Sequence, residues 1–286
     1  MPSTRELRRR IRSIGNTAQM TRAMQMVAAS KMRKAQQLAI EVRPFVRLFY
    51  RIQRAAATHA GEFTHPLLEA RPVRTRAVVL VAADKGLCGA LNSNVFRLAA
   101  QYDPQSTVFL AAGRKASQFV AQTRRRLVAE FSYGDTPQFA ESRAIAVLAR
   151  QLFEDGEVDA VDVVAARFVN TLVQQPVAVP FLPLADIKGL EIPGMPPPLD
   201  ADAPEIVFEP DAGDIVSYAI GHYINVFIHA VLLNAKASEQ SARMVSMQGA
   251  TDSATGMIRE LRLEYNTLRK GRITQELLEI AGGASV

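Results

Sequence analysis

The chain of 286 residues carries one cysteine, Cys88, which excludes an intramolecular disulfide and a cysteine-built metal cage and agrees with a reducing compartment. Long apolar runs are missing too. Stretches such as A-V-V-L-V-A-A at Ala77 to Ala83 fall well short of the roughly 20 residues a membrane span needs. The N-terminus enters R-E-L-R-R-R-I directly, without the apolar stretch and cleavage site of a secretory signal, so a cytoplasmic protein is expected. The histidines, His59, His65, His222 and His229, show no metal-ligand spacing, and packing or surface roles are expected of them. Acidic residues are scarce at the start: only Glu6 and Glu41 face 13 Lys and Arg in the first 54 positions. The net charge of +6 is therefore one basic helix on a mildly acidic body, a stripe that suits nucleic acid, anionic lipid, an acidic protein surface or plain solvation.

Against these absences stands a strong helical pattern at both ends. Alternate steps of three and four from Leu7 give Ile11, Ile14, Ala18, Thr21, Gln25, Ala28, Met32, Ala35, Ala39, Val42, Val46 and Phe49. Apolar residues at a mean spacing of 3.5 keep one seam turned toward a partner helix. Thr4 is the expected cap, Pro44 predicts a kink, and the helix should reach about Ala57. From Val216 the same stepping reads Ala219, Tyr223, Val226, Ala230, Leu233, Ala237, Gln240, Met244, Met247, Thr251, Ala254, Ile258, Leu261, Tyr265 and Leu268, with Gln240 and Thr251 interrupting the apolar seam. Asp211 or Asp214 offers the cap and Gly282 with Gly283 the end. Such a helix is roughly 100 Å long, too long to be covered by its own small domain, so its seam calls for the other terminal helix, running antiparallel.

Between the two lies an alternating pattern that reads as a compact α/β domain with a mostly parallel sheet. Strands are expected at Arg76 to Ala83, Thr107 to Ala112, Arg126 to Phe131, Val158 to Phe168 and Val177 to Leu184. Helices are expected at Asn92 to Tyr102, Arg114 to Thr123 and Gln138 to Glu154. The run I-P-G-M-P-P-P from Ile192 is a loop, and a strand at Glu205 to Phe208 leads into the last helix.

The most site-like motif is the turn D-K-G-L-C-G-A-L-N, Asp84 to Asn92, where a strand, a Gly-containing loop and a helix start resemble anion-binding geometry. It matches neither G-x-G-x-x-G nor the phosphate loop that ends in Lys-Ser/Thr. Cys88 has no histidine near it in sequence, and Glu154 with Asp155, like Asp200 with Asp202, reads as solvated turn or helix-end residues. No catalytic constellation, cofactor site or metal site emerges. Mechanical or assembly contact is the expected mode of action.

Read as sequences, I-R-S-I-G-N-T-A-Q-M-T-R-A-M-Q-M-V-A-A-S-K-M-R-K-A-Q from Ile11 and S-E-Q-S-A-R-M-V-S-M-Q-G-A-T-D-S-A-T-G-M-I-R-E-L-R-L-E-Y-N from Ser238, followed by I-T-Q-E-L-L-E-I from Ile273, resemble the gamma subunit family of F-type ATP synthases. The turn at Asp84 to Asn92 and F-E-P at Phe208 to Pro210 are similar to further marks of that family. The resemblance covers essentially the whole chain. It implies an α/β fold: a long antiparallel coiled coil of the N- and C-terminal helices with an inserted Rossmann-like α/β domain, divided at 1–58, 59–210 and 211–286.

The resemblance further implies a non-catalytic central-stalk rotor subunit with alpha, beta and epsilon subunits and the c-ring as partners, on the cytoplasmic face of a bacterial membrane and attached there only through the c-ring. Met24 and Arg243 match family residues that face an acidic loop of a beta subunit. Arg269 and Thr274 match a polar catch on beta, with Lys270 in place of the usual glutamine and Arg272 in place of a small residue. Phe208 and Glu209 match contacts to the c-ring and epsilon. The paired-cysteine insertion of chloroplast relatives is missing, so no such thiol switch is expected. The alternative readings are a basic coiled-coil nucleic-acid-binding or scaffold protein, against which the lack of interleaved aromatics from Arg5 to Lys34 counts, and an enzyme built beside Cys88.

Overall fold

A computed structural model describes residues 3–59, 65–184 and 212–283, with side chains given except at 43, 45–59, 212–216 and 279–283. The loop expected from Ile192, the strand expected at Glu205 to Phe208, and Asp200, Asp202 and Asp211 lie outside the described residues. Helix α1, Thr4–His59, is capped one residue earlier than expected. The Ser3 carbonyl accepts the Leu7 amide at 3.0 Å and its hydroxyl accepts the Glu6 amide at 3.2 Å, which makes Ser3 the half-helical residue and Thr4 the first helical one. The helix continues through Pro44, whose ring removes one backbone donor without ending it. At the other end of the chain, α5 runs Ala212–Gly283, 72 residues.

The chain divides into two compact units, residues 1–28 with 243–286, and residues 29–242, so each long helix is shared between the two. In the first unit the helices pack antiparallel. Arg8 Nη2 donates to the Tyr265 hydroxyl at 2.7 Å, while the hydroxyls of Thr21 and Thr251 lie 2.7 Å apart, so advancing along α1 retreats along α5. The expected seam is the buried one. Leu7, Thr21, Ala28, Met247 and Ala254 are buried, and Ile11, Ile14, Ala18, Gln25, Ile258, Leu261 and Leu268 are half-buried. Thr251, an interruption in a one-dimensional pattern, meets the matching interruption Thr21.

The second unit holds a five-stranded sheet in the order β3-β2-β1-β4-β5, with β1 Arg76–Val81, β2 Thr107–Ala112, β3 Arg126–Phe131, β4 Ala160–Phe168 and β5 Gln174–Leu182. The first four strands are parallel and β5 returns antiparallel from β4. Helices α2 Leu91–Ala99, α3 Arg114–Gln122 and α4 Phe139–Glu154 connect the parallel strands, each within three residues of its expected end. Side-chain alternation divides the core. Ala77, Val79 and Val81 share a cluster with Ile145, Ala149 and Phe153 of α4 and with Ile220, Phe227 and Val231 of α5. Val78 and Leu80 share the other with Val95 of α2 and Val120 of α3. The sheet is thus covered on both faces, which is why β1 reads as an uninterrupted apolar run.

Candidate functional site

In an open α/β sheet, ligands bind outside the carboxyl ends of the strands where the strand order reverses, here between β1 and β4. That crevice is filled by the chain itself. Ala242 of α5 lies in one apolar cluster with Ala82, Ala83, Cys88, Leu91 and Ala166. Four residues earlier, the buried Ser238 donates its hydroxyl to the Ala166 carbonyl at 3.2 Å, and Ser241 donates to the Thr171 carbonyl at 2.7 Å in the turn between β4 and β5.

The turn at Asp84 to Asn92 is bonded internally in the same way. Asp84 Oδ1 accepts the Arg114 amide at 2.9 Å, capping α3 across the sheet edge, and Asn92 Oδ1 accepts the Ala83 amide at 3.2 Å. Asn92 Nδ2 donates to Cys88 Sγ at 3.5 Å, and Cys88 is buried. Leu87, 61% exposed, stands at φ 64°, a left-handed conformation costing a residue with a side chain roughly 1–2 kcal/mol. Gly113, where β2 enters α3, has φ 95°, and a Cβ there would stand 2.1 Å from the Ala82 carbonyl oxygen. The anion-binding resemblance therefore has a structural account: these polar groups close a tight corner between β1, β2 and α5.

Beside the corner lies a charge network absent from the sequence reading. Lys236 and Glu239 of α5 are buried and paired at 3.0 Å. Lys236 Nζ also lies 3.8 Å from Asp135, in the connection from β3 to α4, and 4.9 Å above the Tyr133 ring. The Tyr133 hydroxyl donates to the Ala82 carbonyl at 3.0 Å, and its burial raises its pKa well above the usual range. Asp135 accepts in turn from Lys31 of α1 at 2.5 Å, a hydrogen bond that lowers the carboxyl pKa. The two pairs differ in weight. Removing one member of a buried pair such as Lys236–Glu239 costs about 3–5 kcal/mol, whereas Lys31–Asp135, about half exposed on both sides, contributes about 0–1 kcal/mol. Lys236 and Glu239, three apart in an otherwise small and apolar stretch, were the available sequence signal. Asp135 gave none.

Of the residues singled out from sequence, Met24 is half-buried on α1 and Arg243 is buried on α5. Arg269, Lys270 and Thr274 are exposed. The Thr274 hydroxyl donates to the Lys270 carbonyl at 3.0 Å, and Arg272 pairs with Glu276 at 2.9 Å. Phe208 and Glu209 lie outside the described residues. His229 packs edge-on to Phe139 with centroids 5.5 Å apart, its Nδ1 lies 2.8 Å from the Ser142 hydroxyl, and burial lowers its pKa. His222 flanks the same ring at 6.1 Å. No group of three or more metal-ligating side chains occurs among the described residues.

The sequence model of the ATP synthase family matches residues 3–286. The gamma chain of ATP synthase from Opitutus terrae is 44% identical over 292 residues, covering 98% of this chain and 97% of that one. Its counterpart from Methylacidiphilum infernorum is 39% identical, covering 98% of each. Among solved structures, a chain of the rotor of the Euglena gracilis mitochondrial ATP synthase superposes with a TM-score of 0.66 over 94% of this chain and 98% of its own, at 16% identity. A chain from the Tetrahymena thermophila central stalk and c-ring gives 0.61 over 81% and 99%, at 22% identity. The structural likeness carries the fold. Full-length identity carries the rest, and by it the chain belongs to the ATP synthase gamma chain family.

Proposed function

We propose that this chain is the rotating central shaft of a bacterial ATP synthase, coupling ion-driven turning of a c-ring to ATP synthesis or hydrolysis in an alpha/beta ring. Catalysis belongs to the beta subunits in this reading. One observation carries it: α5 continues as a regular helix through residues 269–278 with every side chain exposed, including Leu277 and Leu278 at 61% and 67%. Isolated exposed apolar residues are ordinary. Adjacent leucines on a helix that the described residues leave exposed call for a surrounding partner, and the enclosing ring supplies one.

A shaft acts through unequal contact. To drive one nucleotide site from 1:99 to 99:1 between two conformations, its surface must favour one by about 5.5 kcal/mol. Met24 and Arg243 are assigned to an acidic loop of beta, Arg269, Lys270 and Thr274 to a catch on beta, and Phe208 and Glu209 to the c-ring and epsilon. No helix among the described residues is long and apolar enough to cross a membrane. Attachment at the cytoplasmic face is assigned to the c-ring. The comparisons lend no support to a nucleic-acid-binding or scaffold protein. The test is purification of a tagged chain from native membranes. Alpha, beta, epsilon and c subunits are expected to arrive with it, and their absence from the purified material overturns the reading.

A further inference from the structure

A shaft is of use only if the body that receives torque cannot slip against the helices that deliver it. We infer that residues 236–241 of α5 form a two-sided grip by which the α/β body turns the shaft, an inference that rests on the rotor reading. The grip is set in the crevice between β1 and β4. On one flank Lys236 reaches Asp135 and lies above Tyr133, which is itself tied to the end of β1 through the Ala82 carbonyl. On the other flank Ser238 and Ser241 bond the Ala166 and Thr171 carbonyls at the end of β4 and the turn beyond it. Asp135 also takes Lys31 of α1, so both long helices are tied to one loop of the body.

Apolar packing alone resists separation well and rotation poorly. Alanines such as Ala235, Ala237 and Ala242 offer little relief to obstruct a helix turning about its own axis. Directional bonds at fixed sites on two flanks do obstruct it, because turning in either direction breaks bonds on both sides at once. Lys236 strengthens the grip through its burial: displaced from Glu239 and Asp135, its charge would be stranded away from water. The crevice that serves other doubly wound folds as a ligand site serves here as a keyway.

The experiment uses the whole ATP synthase in inverted membrane vesicles. Three chains are compared with the parent: Lys236→Met with Glu239→Gln, Ser238→Ala with Ser241→Ala, and all four changes together. ATP hydrolysis is read without a gradient, and ATP-driven ion pumping against a rising one. Each pair is expected to lower pumping at high gradient about 2-fold and the four together about 10-fold, more than the product of the two, while unloaded hydrolysis stays within about 2-fold of the parent. Pumping by the fourfold variant equal to the parent at every gradient overturns the grip. Hydrolysis and pumping lost in equal proportion overturns it also, since that marks a role in folding alone. A parent chain that supports no ATP-driven pumping overturns the rotor reading itself, and the grip with it, and that failure is seen before any variant is made.

Discussion

One helix contains two regions built on opposite terms. Between Ala219 and Ala242, α5 is buried on nearly every side, with Phe227, Ile228, Ala230 and Leu232 within 2% of full burial, and even Lys236, Glu239 and Gln240 are withdrawn from solvent. Between Arg269 and Leu278 every residue is exposed. The first region is finished by its own chain, so its residues answer to packing and to paired charges. The second is left exposed, and in the rotor reading its residues answer to a partner. A substitution should therefore be read out by stability in the first region and by coupling in the second.

Gly113→Ala should have the largest effect. At φ 95°, with the Ala82 oxygen 2.1 Å from the new methyl group, it should destabilise the body by about 3 kcal/mol or more, seen as a large drop in melting temperature. Ala230→Leu overfills a position with no exposed surface and should cost about 1–3 kcal/mol by the same measurement. Gly271→Ala sharpens the contrast with Gly113. Nothing lies within 4 Å of its new Cβ, so the distal helix should gain about 1 kcal/mol of local stability, read as slower amide exchange around residue 271.

The joint between α4 and α5 gives a smaller, pH-dependent effect. Burial holds the His229 pKa below its unfolded value, so the unfolded chain binds the extra proton first. The stability contributed by neutral His229 is fully present above about pH 6.5 and declines as pH falls through the lower folded value. His229→Gln should flatten that acid-side decline in a melting series. Leu277→Ala should change melting least, within about 0.5 kcal/mol, yet lower ATP-driven pumping in the assembled complex. A large melting change from Leu277→Ala would break the comparison between the two regions. Met24→Lys should likewise spare assembly while weakening pumping, and unaltered pumping would remove Met24 from its assigned place.

The terminal helices were the most legible part of the sequence, because a 3.5-residue repeat reports burial directly. The stepping from Leu7 through Val42 falls on buried or half-buried residues without exception. The central strands were legible for a related reason, since a strand covered on both faces needs a run such as Ala77 to Val81. The edges were less so. β5 begins at Gln174, three residues before its expected start, because Gln-Gln-Pro carries no apolar signal and one side of an edge strand needs none. Least legible was the link from Lys31 to Asp135 and on to Lys236, since it joins residues about a hundred positions apart, and only folding puts them together.

The hydroxyl pair of Thr21 and Thr251 has one more effect. A seam built largely of apolar side chains is a ruler whose marks are alike in polarity, and polarity alone would let two such rulers settle one helical turn apart. The threonines make one mark different on each. Displaced by a turn, the two hydroxyls would no longer meet, so this polar notch tells two mostly apolar rods where to stop.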